Sequence, residues 1–481
     1  MPAWARGQSL THARNGFGEV SGEDIELAVG NHHFTTGGRS GHAFAVNGTV
    51  PGPLVRLREG QNARLHVTNN LEEDSSIHWH GLLLPFQFDG VPGVSFPGIR
   101  PGEKFTYEFP VRQNGTYWWH SHSGLQEQAG HYGPIIIESA EPDPRYDRDY
   151  VVLLSEFTPM HPHEIMRKLK VGEHYFQRDM LTATKDDMSG EMRRMWGQMR
   201  MNPRDISDVT GSTYTFLING HGPQDDLQLA FNPGERVRLR VINGSAMTFF
   251  NLRIPGVPMT VIQADGQDVD EVQVDEFQIG VAETYDVVVT PGEQQAYTLV
   301  AESVDRSGMG IATLASAPGA RAAIPPLRDP PLLTMADMGM SGMDHGAGSN
   351  DAGMTGMDHG AGGMAGMDHG SSGAAGADGM SGMDGGSAEM AGMAGMAGGM
   401  QMRDTSLLPP DVKVGPGLDM VSMNPVDRMG DPGIGLADVP HRTLDYRKLR
   451  SLTPHQEGRT PSRRMEIHLT GNMERYMWSF D

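Results

Sequence analysis

Two stretches of this chain repeat one pattern, and the repeat limits what it can fold into. From Asn47 the sequence runs NGTVPGPLVRLREGQNARLHVTNN, and from Asn219 it runs NGHGPQDDLQLAFNPGERVRLRVING. Each copy reads Asn-Gly, a proline, an alternating segment, a Gly turn, a second alternating segment and a closing asparagine. Alternation with period two sets successive side chains on opposite faces of a strand. A duplicated β unit is the economical explanation; independent use of the same turn chemistry is the alternative. Further strands are expected in KFTYEFPV (Lys104–Val111) and PIIIES (Pro134–Ser139), bounded by Gly, Pro and Asn. Short strands at this density, without a long helical period, predict an all-β chain of sandwiches or barrels.

The organisation follows from shifts in composition. Residues 22–140 read as a first β domain and 141–315 as a second. The second holds an insertion of helical character at about 156–208. Within it Met188, Met192, Met195 and Met199 share one helical face. Such a face packs against a sheet more often than it binds metal, because methionine fills irregular gaps. Residues 316–410 form a Met/Gly/His-rich segment holding roughly half of the 33 methionines. MDHG occurs at Met343, Met357 and Met367, with a variant MDGG at Met383. Without aromatic or β-branched runs this segment buries no core and is expected to be disordered unless a ligand orders it. Residues 411–481 are a Pro-rich connector followed by a strand and the start of a hairpin. Residues 1–21 are a tail. Its Ala3-Trp4-Ala5 is the kind of site signal peptidase cuts after, so the tail is either the remnant of an export signal or an arbitrary Ala-rich start.

Charge and cysteine content narrow the function. The net charge of −22 argues against nucleic acid, whose phosphates repel an acidic surface, and against an anionic membrane face. No apolar run is long enough for a spanning helix. The 481 residues contain no cysteine, which excludes disulfides, thiol nucleophiles and zinc ribbons.

Two His-x-His pairs stand out in the first β domain: His78 and His80 in IHWHG, and His120 and His122 in YWWHSHSG. Residues i and i+2 of a strand share a face, so each pair projects together, with Trp79 or Ser121 opposite. One such pair can be two solvated residues on an exposed strand. Two pairs on neighbouring strands would bring four imidazoles together. Neutral imidazole suits copper, zinc, iron and nickel. With no thiolate and no obvious carboxylate pattern, an all-nitrogen copper or zinc cluster is expected.

These residues carry a family resemblance. HWHGLLLPFQFDGVPGVS (His78–Ser95) and GTYWWHSHSGLQEQAGHYGPIIIE (Gly115–Glu138) resemble the first domain of multicopper oxidases, and VRLRVING with VAETYDVVVTPG (Val281–Gly292) resembles the second. The Met-rich segment and the helical insertion narrow the likeness to the bacterial copper-resistance type. The resemblance implies tandem cupredoxin-like Greek-key β-barrels, with a trinuclear copper cluster between the first and third. It implies that His78 binds the type 2 copper, and that His80, His120 and His122 bind the type 3 pair. It also implies oxidation of Cu(I) or phenols at a type 1 copper, with four electrons passed on to reduce O2 to water. The implied partners are copper ions, O2, a reducing substrate and periplasmic copper-handling proteins, and the implied compartment is the periplasm.

The type 1 site of the family needs a cysteine, and the remaining cluster ligands lie in HxH and His-Cys-His motifs of a third domain. Neither motif occurs here. The other His-x-His, His161-Pro162-His163, stands in a different context. The expectation is that the sequence ends soon after domain three begins, so that these residues supply half the cluster and do not complete an active oxidase. The Met-rich segment offers a second chemistry, since thioether sulfur prefers Cu(I). Its candidate ligands are Met343, His345, Met357, His359, Met367 and His369. A copper-sequestering protein acting through these repeats is therefore the alternative function, and a plain linker is the bland one. A zinc hydrolase would need a water-activating carboxylate near the His pairs. His12, His66, His174 and His441 are expected to be ordinary histidines.

Overall fold

The computed structural model describes residues 16–177, 180–181, 189–199, 201–204, 206, 209–334, 336–337, 408–410, 412, 415–418, 426–453, 460–472 and 476–480. The chain divides into two units. One comprises Met1–Leu333, Asp411–Asp419 and Asp427–Asp481; the other comprises Thr334–Pro410 and Met420–Val426. The MDHG repeats, the segment around Met188 and the Ala3-Trp4-Ala5 tail lie outside the described residues, as do the side chains of Met192, Met195 and Met199.

The first unit opens with nine strands: β1 (Glu19–Ser21), β2 (Asp24–Thr36), β3 (Arg39–Val46), β4 (Leu54–Arg58), β5 (Asn62–Asn69), β6 (His78–His80), β7 (Lys104–Pro110), β8 (Gly115–His120) and β9 (Tyr132–Glu138). They form two sheets, ordered β3-β2-β5-β7 and β1-β4-β9-β8-β6. Strand β5 shows the logic: Ala63, Leu65, Val67 and Asn69 point inward while the residues between them are part-exposed. Between the sheets lie Leu27, Leu65, Tyr107, Trp79, Trp119 and Ile135, all nearly inaccessible to solvent. Trp119 packs against Gly52 and Gly133. A Cβ at either glycine would fall 2.4 or 2.3 Å from its ring, so the indole occupies the space two side chains would need.

The chain continues through β10 (Arg148–Phe157), helix α1 (Pro162–Leu169), helix α2 (Gly190–Met199), β11 (Thr215–Ile218), β12 (Gln228–Ala230) and β13 (Val237–Asn243). Pro162 at the first turn of α1 gives up no hydrogen bond, and the His161 side chain caps that turn by accepting from the His163 amide. Then follow β14 (Phe250–Arg253), β15 (Met259–Ala264), β16 (Gln267–Val274), β17 (Glu276–Ile279), β18 (Thr284–Val289), β19 (Ala296–Ser303) and β20 (Met309–Ala315). This second sandwich has sheets ordered β11-β10-β13-β18-β15-β16 and β12-β20-β19-β14-β17. A hairpin of β21 (Leu469–Asn472) and β22 (Met477–Phe480) stands apart in sequence.

The repeat seen in the sequence is a repeat of structure. Asn47 and Asn219 both adopt positive φ, at 52° and 54°, a conformation asparagine tolerates better than most residues. Asn47 Oδ1 accepts from the Ala28 amide at 2.7 Å and its Nδ2 donates to Glu26 O at 3.1 Å. Asn219 does the same to Leu153 N at 2.7 Å and Val151 O at 2.8 Å. The asparagines that close each copy also match: Asn69 donates to Ile99 O, and Asn243 donates to Ile279 O. In both sandwiches the first long strand pairs in parallel with the strand ending in that asparagine, β2 with β5 and β10 with β13.

Trp118, Ile136, Leu153 and Ile242 form a small core between the sandwiches. Polar contacts support it: Thr116 Oγ1 donates to Asp286 Oδ2 at 2.9 Å, and the Tyr117 hydroxyl donates to Gly266 O at 3.3 Å. On the far side of the second sandwich, Glu276 and Glu302 are fully buried among Arg253, Arg328 and His441. Arg328 and His441 precede and follow the second unit in sequence, yet both reach Glu276, at 2.6 and 2.7 Å. His441 is thus a hydrogen-bond partner of a buried carboxylate. No described helix is long and apolar enough to cross a membrane.

Candidate metal centre

Strands β6 and β8 are antiparallel neighbours in register His78↔His120, Trp79↔Trp119 and His80↔Trp118. The pleat sends Trp79 and Trp119 into the core of the first sandwich and His78, His80, Trp118 and His120 to the opposite face. His122 lies beyond the end of β8, in the loop that follows. Its ring nevertheless joins the others, with centroids 4.9 Å from His78 and 5.0 Å from His120. His78, His80 and His120 each present one nitrogen, all within 4.8 Å of one another. The structure thus gathers all four histidines, three of them as a tight nitrogen triad and His122 as an exposed fourth.

Hydrogen bonds settle which nitrogen of two rings faces inward. His78 Nδ1 lies 2.7 Å from the backbone carbonyl of Asp89. A carbonyl only accepts, so Nδ1 carries the proton and Nε2 keeps its lone pair for a metal. The contact depends on Gly90, whose φ of +86° carries the loop so close to β6 that a Cβ would fall 1.8 Å from Ile77 O. His120 Nδ1 lies 2.9 Å from Glu127 Oε2, and also 3.2 Å from Ser121 O, which directs its Nε2 inward. His80 instead turns Nδ1 inward, 3.3 Å from His120 Nε2. That spacing lets both nitrogens reach one ion at imidazole–metal bonds of about 2.0 Å.

The environment favours the neutral form of His78, His80 and His122, as ligation requires. Burial lowers the pKa of His80 to about 4, helped by the neighbouring imidazoles. Burial also lowers His78, against the Asp89 carbonyl bond that favours its charged form, and lowers His122. Trp118 stacks on His120 with centroids 4.2 Å apart and planes 14° from parallel, which limits ring rotation. The donor set is therefore preorganised and nitrogen-only, and it fits copper by ligand type.

Below the triad, Gln126 ties the two histidine loops together. Its Oε1 accepts from Ser75 Oγ and Ser121 Oγ, each at 2.9 Å, and its Nε2 donates to Glu73 Oε1 and Asp74 O. The Ser76 hydroxyl accepts from the His122 amide at 3.0 Å. Glu127, Asp89 and Gln126 stand out in no sequence motif; QEQ just after HSHSG is the nearest signal. Carboxylates are therefore present beside the histidines, contrary to expectation. The Glu127 carboxylate binds the outward Nδ1 of His120, where it orients the ligand, while the Asp89 carboxylate stands 3.6 Å from the outward Nδ1 of His78, which its backbone carbonyl binds.

His161 and His163 lie side by side, with ring centroids 5.2 Å apart, at the start of α1 and outside the triad. His66 contacts Thr106 and Asp24, and His174 contacts Glu173. His131 is fully buried, and burial pulls its pKa down to about 3.

Two strand sandwiches with an imidazole cluster on the edge of the first define a copper protein of the multicopper oxidase fold. Family models described as multicopper oxidase match residues 28–142 and 148–319. The chain is 46% identical over 477 residues to copper resistance protein A of Escherichia coli, covering 96% of this chain and 77% of that protein. It is likewise 46% identical to copper resistance protein A of Pseudomonas syringae pv. tomato, covering 80% of it. Among solved structures, Fet3p, a multicopper oxidase that functions in iron import, superposes with a TM-score of 0.52 at 21% identity, over 64% of this chain and 55% of that one. A laccase from Botrytis aclada gives 0.50 at 27%, over 66% and 56%. The chain belongs to the multicopper oxidase family. Within that family its likeness is to copper resistance protein A, and by resemblance it is a copper-dependent oxidoreductase.

Proposed function

We propose that His78, His80, His120 and His122 are the first sandwich's share of a trinuclear copper centre, His78 for the type 2 ion and the other three for the type 3 pair. The observation that carries this is the triad of inward nitrogens within 4.8 Å, two of them held in the ligating tautomer by outward hydrogen bonds. Copper bound there would supply the electron-accepting centre at which O2 is reduced to water while Cu(I) or a phenol is oxidised. The residues' own work is to hold that site open and fixed. His78 and His120 keep their Nδ1 protons pointed at Asp89 O and Glu127, and Trp118 stops the His120 ring from turning. Cysteine is absent from the sequence, so a thiolate electron-entry site is not among the groups these residues contribute.

The domain limits we propose are 22–140 and 141–315 for the two cupredoxin-like units, with 411–481 contributing to a third. The compartment proposed is the periplasm, where a copper-oxidising protein meets the metal before it crosses the inner membrane. Fractionation that recovers the protein only from cytoplasm would overturn that assignment.

A second reading is favoured by the MDHG repeats: copper capture by Met343, His345, Met357, His359, Met367 and His369, without turnover. The test is copper content by elemental analysis and by Cu(I) titration. His120→Ala should lose copper from the folded unit and keep the Cu(I) capacity of the repeats. Equal loss from both would show one shared site and end the two-site reading. Wild-type copper in His120→Ala would remove the cluster assignment altogether.

A further inference from the structure

Four acidic side chains at or near the strand ends of the first sandwich answer a cation. Asp24 pairs with Arg64, Glu26 with Lys104, and Glu19 and Glu138 with Arg56. Glu127 differs. Among the described residues its one close basic partner is the His120 imidazole, Oε2 to Nδ1 at 2.9 Å, with both side chains largely shielded from solvent. Its backbone is fixed as well. The Gly130 amide donates to Glu127 O at 3.0 Å, the Gln126 carbonyl accepts from the Ala129 and His131 amides, and Ala129 O accepts from the Phe44 amide. The turn 123–130 is thereby pinned both to β3 and, through the Gln126 side chain, to the loop before β6. Chain geometry, rather than a local salt bridge, delivers this carboxylate to the back of the imidazole.

We propose that Glu127 is a positioning residue for His120 that also sets the copper oxidation state the site prefers. The proposal rests on the reading that His120 holds copper through Nε2. An anionic acceptor at Nδ1 fixes the tautomer and ring angle and pushes electron density toward Nε2. A more basic imidazole stabilises Cu(II) more than Cu(I), because the doubly charged ion gains more from a stronger donor. The carboxylate therefore holds the site's reduction potential down.

The test uses the full chain and its variants Glu127→Gln, Glu127→Ala and His120→Ala. Each is titrated with Cu(II) and, separately, with Cu(I) against chelators of known affinity. Electron paramagnetic resonance counts the nitrogens on the Cu(II) site, and thermal melting monitors the fold. Glu127→Gln keeps the shape and an acceptor oxygen but loses the charge. It should weaken Cu(II) at the histidine site by about tenfold or more, at an unchanged melting temperature. Cu(I) should weaken less. A tenfold larger loss for Cu(II) than for Cu(I) raises the midpoint potential by about 59 mV. Glu127→Ala should lose more than Glu127→Gln. If both variants hold copper within twofold of wild type while His120→Ala loses it, the inference is wrong and the cluster reading stands. Equal weakening of both oxidation states with a lowered melting temperature would make Glu127 a structural residue only, which also overturns the proposal. If His120→Ala keeps wild-type copper, the cluster reading itself fails.

Discussion

The two sandwiches put the same pair of strands to opposite uses. In the first, β6 and β8 lie side by side and bring His78 opposite His120. In the second, the strands at the same place in the sheet are β14 and β19, and they set Asn251 opposite Glu302. In the first sandwich β6 is the last strand of its sheet; in the second, β17 adds a further strand outside β14. The added strand carries Glu276, and the space becomes a buried cluster of carboxylates and guanidinium groups. An open edge leaves imidazoles accessible for metal, whereas a closed one demands that every charge be paired internally. One scaffold, duplicated, yields a site where its sheet ends early and a structural ion network where it does not.

The sharpest way to break this contrast is to disturb a buried charge in the second sandwich. Arg238 donates to Asp286 Oδ2 and Gln263 Oε1, each at 2.9 Å, with Asp286 almost fully buried. Arg238→Ala should cost about 3–5 kcal/mol in urea unfolding, because the carboxylate it leaves behind is poorly compensated. A loss under 1 kcal/mol would show that the network is slack. Next come the matched asparagines. Asn219→Ala strands two buried backbone groups and forces alanine to positive φ, for about 2–4 kcal/mol. Asn47→Ala, at an exposed position, should cost roughly 1 kcal/mol, since water can replace its bonds. Equal losses would mean that the two clamps are not divided by burial.

The sandwiches should also differ in the sign of their pH response. Burial raises the carboxyl of Glu156, on β10, to about 7. A raised folded pKa means the native state binds the extra proton. This contribution is therefore complete below about 4.5 and is lost as pH climbs through 7, on the order of 2–3 kcal/mol. Glu156→Gln should flatten the stability curve over that range. His80 and His131 act oppositely. Their folded pKa values of about 4 and about 3 lie below the unfolded value of about 6.5. Their contribution is present above 6.5 and disappears as pH falls through 4 and then 3. A stability profile for Glu156→Gln that keeps its descent between pH 4.5 and 7 would refute the assignment. The smallest effect belongs to Arg64→Ala. Its partner Asp24 is more than half exposed, so no shift in the unfolding midpoint should be resolved.

What the sequence disclosed and what it hid follow one physical line. The repeat, the strands and the His-x-His pairs are local patterns, and period two makes their directions readable before any fold is known. His122 joins the triad's neighbourhood although it has left the strand, so its place there owes nothing to the pleat that suggested it. Glu127 and Asp89 were illegible. One reaches His120 through a turn that folds back, and the other offers His78 a backbone carbonyl that any residue type would possess. His441 looked isolated because its partner Glu276 lies 165 positions away. The Met188 stripe and the MDHG repeats lie outside the described residues, so Met343, His345, Met357, His359, Met367 and His369 rest on their sequence alone.

Glu276 has a consequence for how this chain can evolve. Arg328 and His441 grip the same carboxylate from either side of the Met-rich stretch, like two ends of a cord tied to one peg. The entropy of closing a loop grows only with the logarithm of its length, about 0.6 kcal/mol for each doubling. Changes in chain length between Arg328 and His441 should then cost the sandwiches little. Glu276 keeps both partners whatever the number of residues between them, so the imidazole cluster on the other sandwich is insulated from such changes.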